Sequence, residues 1–134
     1  MNILKRNNNL IFCLLFSLSI DVAVADQCPS AKIVKERKIS RDYEWTIDER
    51  RTLEEVLSVE KLYSVRIKNQ GEYVACSYTR KNGLIRLDGA AKKSHCLIMK
   101  QSGSWIDSGN GEQICTEKEL NLCQFNVICE SDAE

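Results

Sequence analysis

The chain has 134 residues and carries 19 basic side chains against 19 acidic ones, with a single histidine. Its length fits one compact domain, and its balanced charge excludes proteins that depend on bulk attraction to nucleic acid or to an anionic membrane surface. From the balanced charge we expect no nucleic-acid partner. The chain contains no glycine-rich phosphate loop and no Cys-x-x-Cys motif, and we expect no cofactor.

The first 25 residues have the features of a cleaved signal peptide. Lys5 and Arg6 form a positive start, residues 10–20 are an apolar segment, and Ala23-Val24-Ala25 predicts cleavage before Asp26. Eleven helical residues rise about 16 Å, roughly half of a bilayer's hydrocarbon core, so the segment is too short to span it. We expect a periplasmic or secreted protein with no membrane span after cleavage; an uncleaved N-terminal anchor is the alternative.

Residues 26–129 are expected to form one disulfide-stabilised domain, and residues 130–134 an acidic, flexible tail. Removing the signal peptide leaves 17 basic against 18 acidic side chains, and six of the seven cysteines. An even number of cysteines in a short exported chain predicts three disulfides, and their spacings match no common zinc motif, so we expect no metal. The disulfide candidates are Cys28, Cys76, Cys96, Cys115, Cys123 and Cys129.

Six cysteines allow fifteen pairings, and we expect one set from the order of the elements. Cys115–Cys123 closes a short loop, Cys76–Cys96 would tie a hairpin to the strand that follows, and Cys28–Cys129 would join the two ends. If residues 123–129 form a single strand, Cys123 and Cys129 lie about 20 Å apart and do not pair with each other.

The N-terminal part of this domain contains a basic segment, a strand and a helix. Residues 32–41 hold five basic side chains, and Ile33-Val34 could begin a strand; we expect a solvated edge here, with an interaction patch as the alternative. Residues 43–47 alternate in polarity, which predicts a half-buried strand. Residues 49–59 are the clearest helix candidate, because Thr52-Leu53-Glu54-Glu55 fits a capping box.

The middle of the chain predicts an antiparallel meander. Residues 62–68 alternate in polarity, residues 72–79 and 84–87 are rich in apolar side chains, and Asn82-Gly83 between the last two is a strong hairpin signal. Residues 95–100 are consistent with a further strand. Residues 123–129 alternate again, which places Cys123, Phe125, Val127 and Cys129 on one face.

Candidate site residues lie in the segment 101–112, which is rich in glycine, serine, asparagine and aspartate. It contains Trp105 and Asp107, and such segments often carry function on a rigid scaffold. Tryptophan is also enriched at binding hot spots. We therefore place a binding site at these two residues; the alternative is that Trp105 covers the core of the sheet.

The sequence contains few residues that could form a catalytic site. His95 stands beside Cys96, but neighbouring residues of a strand point to opposite faces, and Cys96 is expected to be oxidised. The paired carboxylates at Asp48-Glu49 and Glu54-Glu55 fit a solvated helix face better than an acid–base pair, since helical neighbours diverge by about 100°. We therefore name no catalytic residue.

A set of short motifs resembles a family of small exported bacterial proteins that is known only as a domain of unknown function. The motifs are Cys28-Pro29-Ser30, then Cys76 with Tyr78 and Gly83, then Trp105, and finally Cys115, Cys123 and Phe125. The basic run at 32–41 and Cys129 have no counterpart in it. The resemblance implies export and a β-rich stapled domain, and it supplies no catalytic residues.

The sequence therefore predicts an α+β to mainly β domain, with an antiparallel sheet or meander of about five or six strands, one short helix and three disulfides. We expect a small exported binding module, such as a protein inhibitor or a host-interaction factor, rather than an enzyme. Its partner is expected to be a protein or a surface ligand. The alternative is a small secreted hydrolase that uses His95.

Overall fold

The structure is a computed structural model that describes residues 26–130; the predicted signal peptide and positions 131–134 of the predicted tail lie outside the described residues. The strands are β1 (Asp26–Gln27), β2 (Tyr43–Ile47), β3 (Lys61–Lys68), β4 (Tyr73–Arg80), β5 (Gly83–Ala91), β6 (Cys96–Ser102), β7 (Trp105–Gly109), β8 (Glu112–Cys115) and β9 (Gln124–Cys129). The helices are α1 (Ala31–Lys35) and α2 (Leu53–Leu57), and short 3₁₀ turns occupy Asn69–Gly71 and Leu120–Leu122.

The strands form two antiparallel sheets within residues 26–130. The large sheet has the order β2-β5-β4-β3-β8-β7, and the small sheet has the order β1-β9-β6. This confirms the predicted antiparallel, disulfide-stapled β domain, although the described residues hold nine strands and two helices rather than five or six strands and one helix. No helix in the described part of the chain is both long and apolar enough to cross a membrane.

The predicted meander is confirmed as β3-β4-β5 in the centre of the large sheet. The reversal between β4 and β5 pairs Arg80 with Gly83, and Gly83 has a φ of +113°, a conformation that glycine adopts without steric cost. Strand β5 continues to Ala91, beyond the predicted end at Leu87, because its later residues pair with the edge strand β2. The segment with the clearest strand and turn pattern in the sequence therefore forms the centre of the large sheet.

Both helices begin at a capped residue. The capping box that begins α2 is confirmed: Glu55 N donates to Thr52 Oγ1 at 3.1 Å, and Thr52 N donates to Glu55 Oε1 at 3.1 Å. The predicted strand start at Ile33-Val34 is wrong, because these residues lie in α1. The Ser30 side chain accepts a hydrogen bond from Ile33 N at 3.3 Å, and the helix buries Val34.

The core lies between the two sheets. Buried residues alternate along β5, whereas every residue of β4 from Val74 to Tyr78 is buried. The largest fully buried side chains include Tyr78, Ile85, Leu87 and Phe125. The Tyr78 hydroxyl donates to the backbone oxygen of Pro29 at 2.6 Å, which fastens the N-terminal segment to the large sheet. Trp45 is partly buried on β2 and covers Gly89 of β5.

Three disulfides are present, as predicted, but two of the expected pairings are wrong. Cys115–Cys123 is confirmed, whereas Cys28 pairs with Cys76 and Cys96 pairs with Cys129. The N-terminal segment lies against β4, so Cys28 reaches Cys76 rather than the C-terminal strand. Cys96 and Cys129 face each other directly on the neighbouring strands β6 and β9, with Cα atoms 4.0 Å apart.

Candidate functional site

The predicted binding loop at residues 101–112 contains the end of β6, the whole of β7 and the turn that leads into β8, with which β7 forms a hairpin. Trp105 is partly buried against the core, and its indole N–H donates to the Ser102 backbone oxygen at 2.9 Å. The Asp107 carboxylate is exposed and accepts a hydrogen bond from Gly109 N at 2.9 Å, which stabilises the turn. Both residues therefore have structural contacts, and Trp105 takes the core-covering position that was the alternative.

His95, the residue of the alternative hydrolase, is exposed next to the first residue of β6. Its imidazole and the sulfur atoms of Cys96 and Cys129 lie within 4.8 Å of one another. Because the two sulfur atoms are bonded to each other, they provide neither a thiolate nucleophile nor a metal ligand. This arrangement gives no support to the hydrolase or to a metal site at His95.

The outer face of the small sheet carries large apolar side chains that the core does not use. Leu97 and Met99 alternate with the buried Ile98 along β6, and their side chains are 47% and 53% exposed. Ile128 on β9 is 50% exposed and lies directly opposite Leu97. We call Leu97, Met99 and Ile128 the apolar face; contiguous apolar surface of this kind is typical of interaction sites.

A groove runs beside the apolar face, along the free edge of β9. It has a volume of about 480 Å³, and its apolar lining comes from Tyr43, Val127, Ile128 and the Cys96–Cys129 disulfide. Its remaining lining residues are Asp26, Asp42, Lys92, Lys93 and Asn126. We call this the β9 groove. Its charged lining side chains are two acidic and two basic, so together they contribute no net charge.

Within residues 26–130, the edge of β9 along this groove is open beyond Phe125. Strand β1 pairs only with Gln124 and Phe125, and no other strand of residues 26–130 pairs with β9 on that side. Glu130 N donates to His95 O at 3.2 Å, which orients Glu130 toward β6. Successive residues of an antiparallel strand direct their backbone groups to opposite edges, so Val127 and Cys129 direct their N–H and C=O groups to the open side.

One hydrogen bond joins the two sheets at the end of the groove next to β1. The Tyr43 hydroxyl, on the edge strand of the large sheet, donates to Asp26 Oδ2 on β1 at 2.5 Å. Burial and this adjacent carboxylate raise the pKa of Tyr43 well above its usual range, so its hydroxyl stays protonated and continues to donate at physiological pH. The Tyr43 ring also packs edge-on against Phe125, with ring centroids 5.8 Å apart.

Two other clefts are lined by several charged side chains. One, of about 640 Å³, contains Lys32, Lys61 and Lys118 among its lining residues. The other, of about 520 Å³, lies on the outer face of the large sheet, where Arg66 and Arg86 are already paired with Glu112 and Asp88. The first cleft also contains Leu62, Tyr63 and Leu120, but its charged lining includes three lysines, whereas the charged lining of the β9 groove is balanced.

The sequence contained part of the signal for this site. The apolar run at Leu97-Ile98-Met99 and the alternation across residues 123–129 predicted both strands, but not that they are neighbours or that the edge of β9 is open. Strand pairing across 30 residues depends on the whole fold, so local patterns do not specify it.

Comparisons with family models, with curated proteins and with solved structures find no match to this chain. The resemblance to a family of small exported bacterial proteins therefore stays a prediction.

Proposed function

We propose that this protein is an exported interaction module that binds a partner protein through the apolar face and the adjoining edge of β9. One observation carries the proposal: Leu97, Met99 and Ile128 are large apolar side chains, each about half exposed, on the outer face of the small sheet. Grouped, exposed apolar side chains favour association when they lie beside a strand edge that no described residue pairs, because soluble proteins usually cover such an edge or block it with charges.

Export is the second part of the proposal. The three disulfides are consistent with an extracellular or periplasmic protein, because such bonds persist in oxidising compartments. The predicted signal peptide before Asp26 supports the same location from the sequence. Within this class, the finer roles of protein inhibitor and host-interaction factor both require a partner-binding surface of the kind proposed.

Substitutions on the apolar face test this function. The processed protein would be used to capture its partner from the compartment into which it is exported, and the affinity of the purified pair would then be measured. Leu97→Asp and Ile128→Asp place a carboxylate on the face without removing core side chains. We expect each to weaken binding at least tenfold, because the charge would have to be desolvated at the interface.

Leu84→Asp is the matched control. Leu84 is 44% exposed, close to the value for Leu97, but it lies on β5 of the large sheet. Its substitution is expected to leave the affinity unchanged. Equal losses for all three variants, or no loss at Leu97 and Ile128, would contradict the proposed interface, provided that near-UV circular dichroism shows the fold to be intact.

A further inference from the structure

We propose that the β9 groove binds an extended, uncharged peptide segment, which adds to the small sheet as an antiparallel strand beside Val127 and Cys129. The segment would continue the line of β1, which already pairs with β9 at Phe125 and Gln124. This inference rests on the proposed function and specifies the partner's chemistry: the partner offers a strand with apolar side chains at alternate positions.

The backbone geometry sets the position of the added strand. Along β9, β1 covers the first two residues, and the next four are open on that side within the described part of the chain. Val127 and Cys129 each present one N–H and one C=O group there. An antiparallel segment of four residues would place its first residue opposite Cys129 and its third opposite Val127, and it could exchange four hydrogen bonds with them.

The side chains of the groove set the sequence of the segment. The first and third residues would share the face of Cys129 and Val127, and would therefore enter the space lined by Tyr43 and the Cys96–Cys129 disulfide. That lining suits aliphatic side chains of moderate size, such as valine. The second and fourth residues would lie on the outer side, next to Ile128 and Asn126.

The charges of the groove favour an uncharged segment. Asp26 is already hydrogen-bonded to Tyr43, and Asp42 to Ser40, while Lys92 and Lys93 lie on the same rim. Acidic and basic side chains line the groove in equal number. A strongly acidic or basic segment would therefore be attracted by one pair of these side chains and repelled by the other pair. Aliphatic segments avoid this repulsion and place their apolar surface on the groove.

The probe is the N-acetylated, C-amidated tetrapeptide Val-Ala-Val-Ala. Its sequence is that of residues 22–25 of the chain, so the protein used must begin at Asp26, with its natural C-terminus, and its N-terminus is checked by intact mass. The ¹⁵N-labelled protein would be titrated with the peptide. We expect saturable shifts concentrated at the Val127 and Cys129 amides, together with slower hydrogen exchange at both.

Methylated peptides provide a matched pair of controls. N-methylation of both valines removes the two N–H groups that would face β9, whereas N-methylation of both alanines removes groups that would face solvent. We expect the valine-methylated peptide to bind at least tenfold more weakly than the alanine-methylated one. An acetylated Asp-Ala-Asp-Ala amide, which retains the backbone groups but places carboxylates in the apolar groove, is expected to bind at least tenfold more weakly than the Val-Ala-Val-Ala peptide.

Equal binding of the two methylated peptides, shifts that map elsewhere, or no binding of Val-Ala-Val-Ala would overturn strand addition. If that happens while Leu97→Asp and Ile128→Asp still weaken the captured partner, the apolar face remains the interface and only the strand mode is wrong. If those substitutions also have no effect, both the strand mode and the proposed function are wrong.

Discussion

The Tyr43 hydroxyl donates a 2.5 Å hydrogen bond to the Asp26 carboxylate and thereby connects the edge strand of the large sheet to the first strand of the small one. Tyr43→Phe leaves the ring contact with Phe125 possible but removes the donor. Because hydrogen bonds to charged groups contribute about 1.5–3 kcal/mol, we expect the free energy of unfolding to fall by an amount in that range. Urea unfolding at pH 7 would measure it.

Tyr63→Phe serves as the control for this substitution, since Tyr63 is 57% exposed on β3. Its loss of stability is expected to be below about 0.5 kcal/mol, as for most surface changes. Equal effects of the two substitutions would show that the link between Tyr43 and Asp26 contributes little to stability.

The three disulfides are expected to differ in their reactivity toward external thiols. Cys129 is exposed, whereas both cysteines of each of the other two disulfides are at most 6% exposed. A thiolate must reach a sulfur atom in order to attack it, so Cys96–Cys129 should be reduced first. Brief treatment with limiting dithiothreitol, alkylation and peptide mass mapping would identify the order; early labelling of Cys28 or Cys123 would contradict it.

Phe125 is the side chain of the small sheet that contributes most to the shared core. It is fully buried and packs against Tyr43 across the two sheets. Phe125→Ala should lower the free energy of unfolding by about 3–5 kcal/mol through lost burial and the cavity that remains. Leu97→Ala, on the exposed side of the same sheet, should cost less than about 1 kcal/mol. Denaturant unfolding of both variants compares them, and similar losses would contradict the assigned faces.

The start of α2 predicts a pH dependence of stability. The Thr52 backbone N–H and the Arg51 guanidinium hold the pKa of Glu55 below its usual value, which is about 4.3 in unfolded chains. A carboxylate with a lowered pKa in the folded state stabilises the fold above the unfolded pKa, and this contribution is lost as the pH falls through the folded value. Glu55→Gln should therefore be less stable than the native chain at pH 7.

The difference between Glu55→Gln and the native chain should shrink as the pH falls below about 4.3, because the native side chain then also becomes neutral. Thermal unfolding at pH 7, 5 and 3 would follow this convergence. Glu54→Gln is the neighbouring control on the same helix. A constant difference between the native chain and Glu55→Gln across the three pH values would contradict the role of the Glu55 charge.

The accuracy of sequence prediction differed between local and non-local features. The Asn82-Gly83 turn, the alternation of β3 and the Thr52 capping box involve neighbouring residues, and all three are confirmed. The pairing of β6 with β9 and of Cys28 with Cys76 joins segments 33 and 48 residues apart, and neither could be deduced from local pattern. The β9 groove depends on those distant contacts, so it became visible only in the structure.

The prediction for Trp105 depended on residue type and not on strand pairing. A tryptophan among glycines and serines suggested an exposed hot spot, but β7 pairs with β8 and places this ring against the core. Residue type alone does not determine burial, since the same side chain serves both roles. Apolar residues that alternate with a buried one, as Leu97 and Met99 do with Ile98, are the sequence signal for the proposed binding surface on the small sheet.

Hydrogen exchange, followed by mass spectrometry, on the complex of the processed protein with its captured partner tests directly whether the small sheet is the interface. If the small sheet is the interface, the segment 124–129 and the β6 residues around Leu97 should exchange more slowly in the complex, while the β4–β5 turn at residues 80–84 should be unchanged. Protection confined to the large sheet, or to the β7–β8 hairpin that contains Trp105, would show that the small sheet is not the interface.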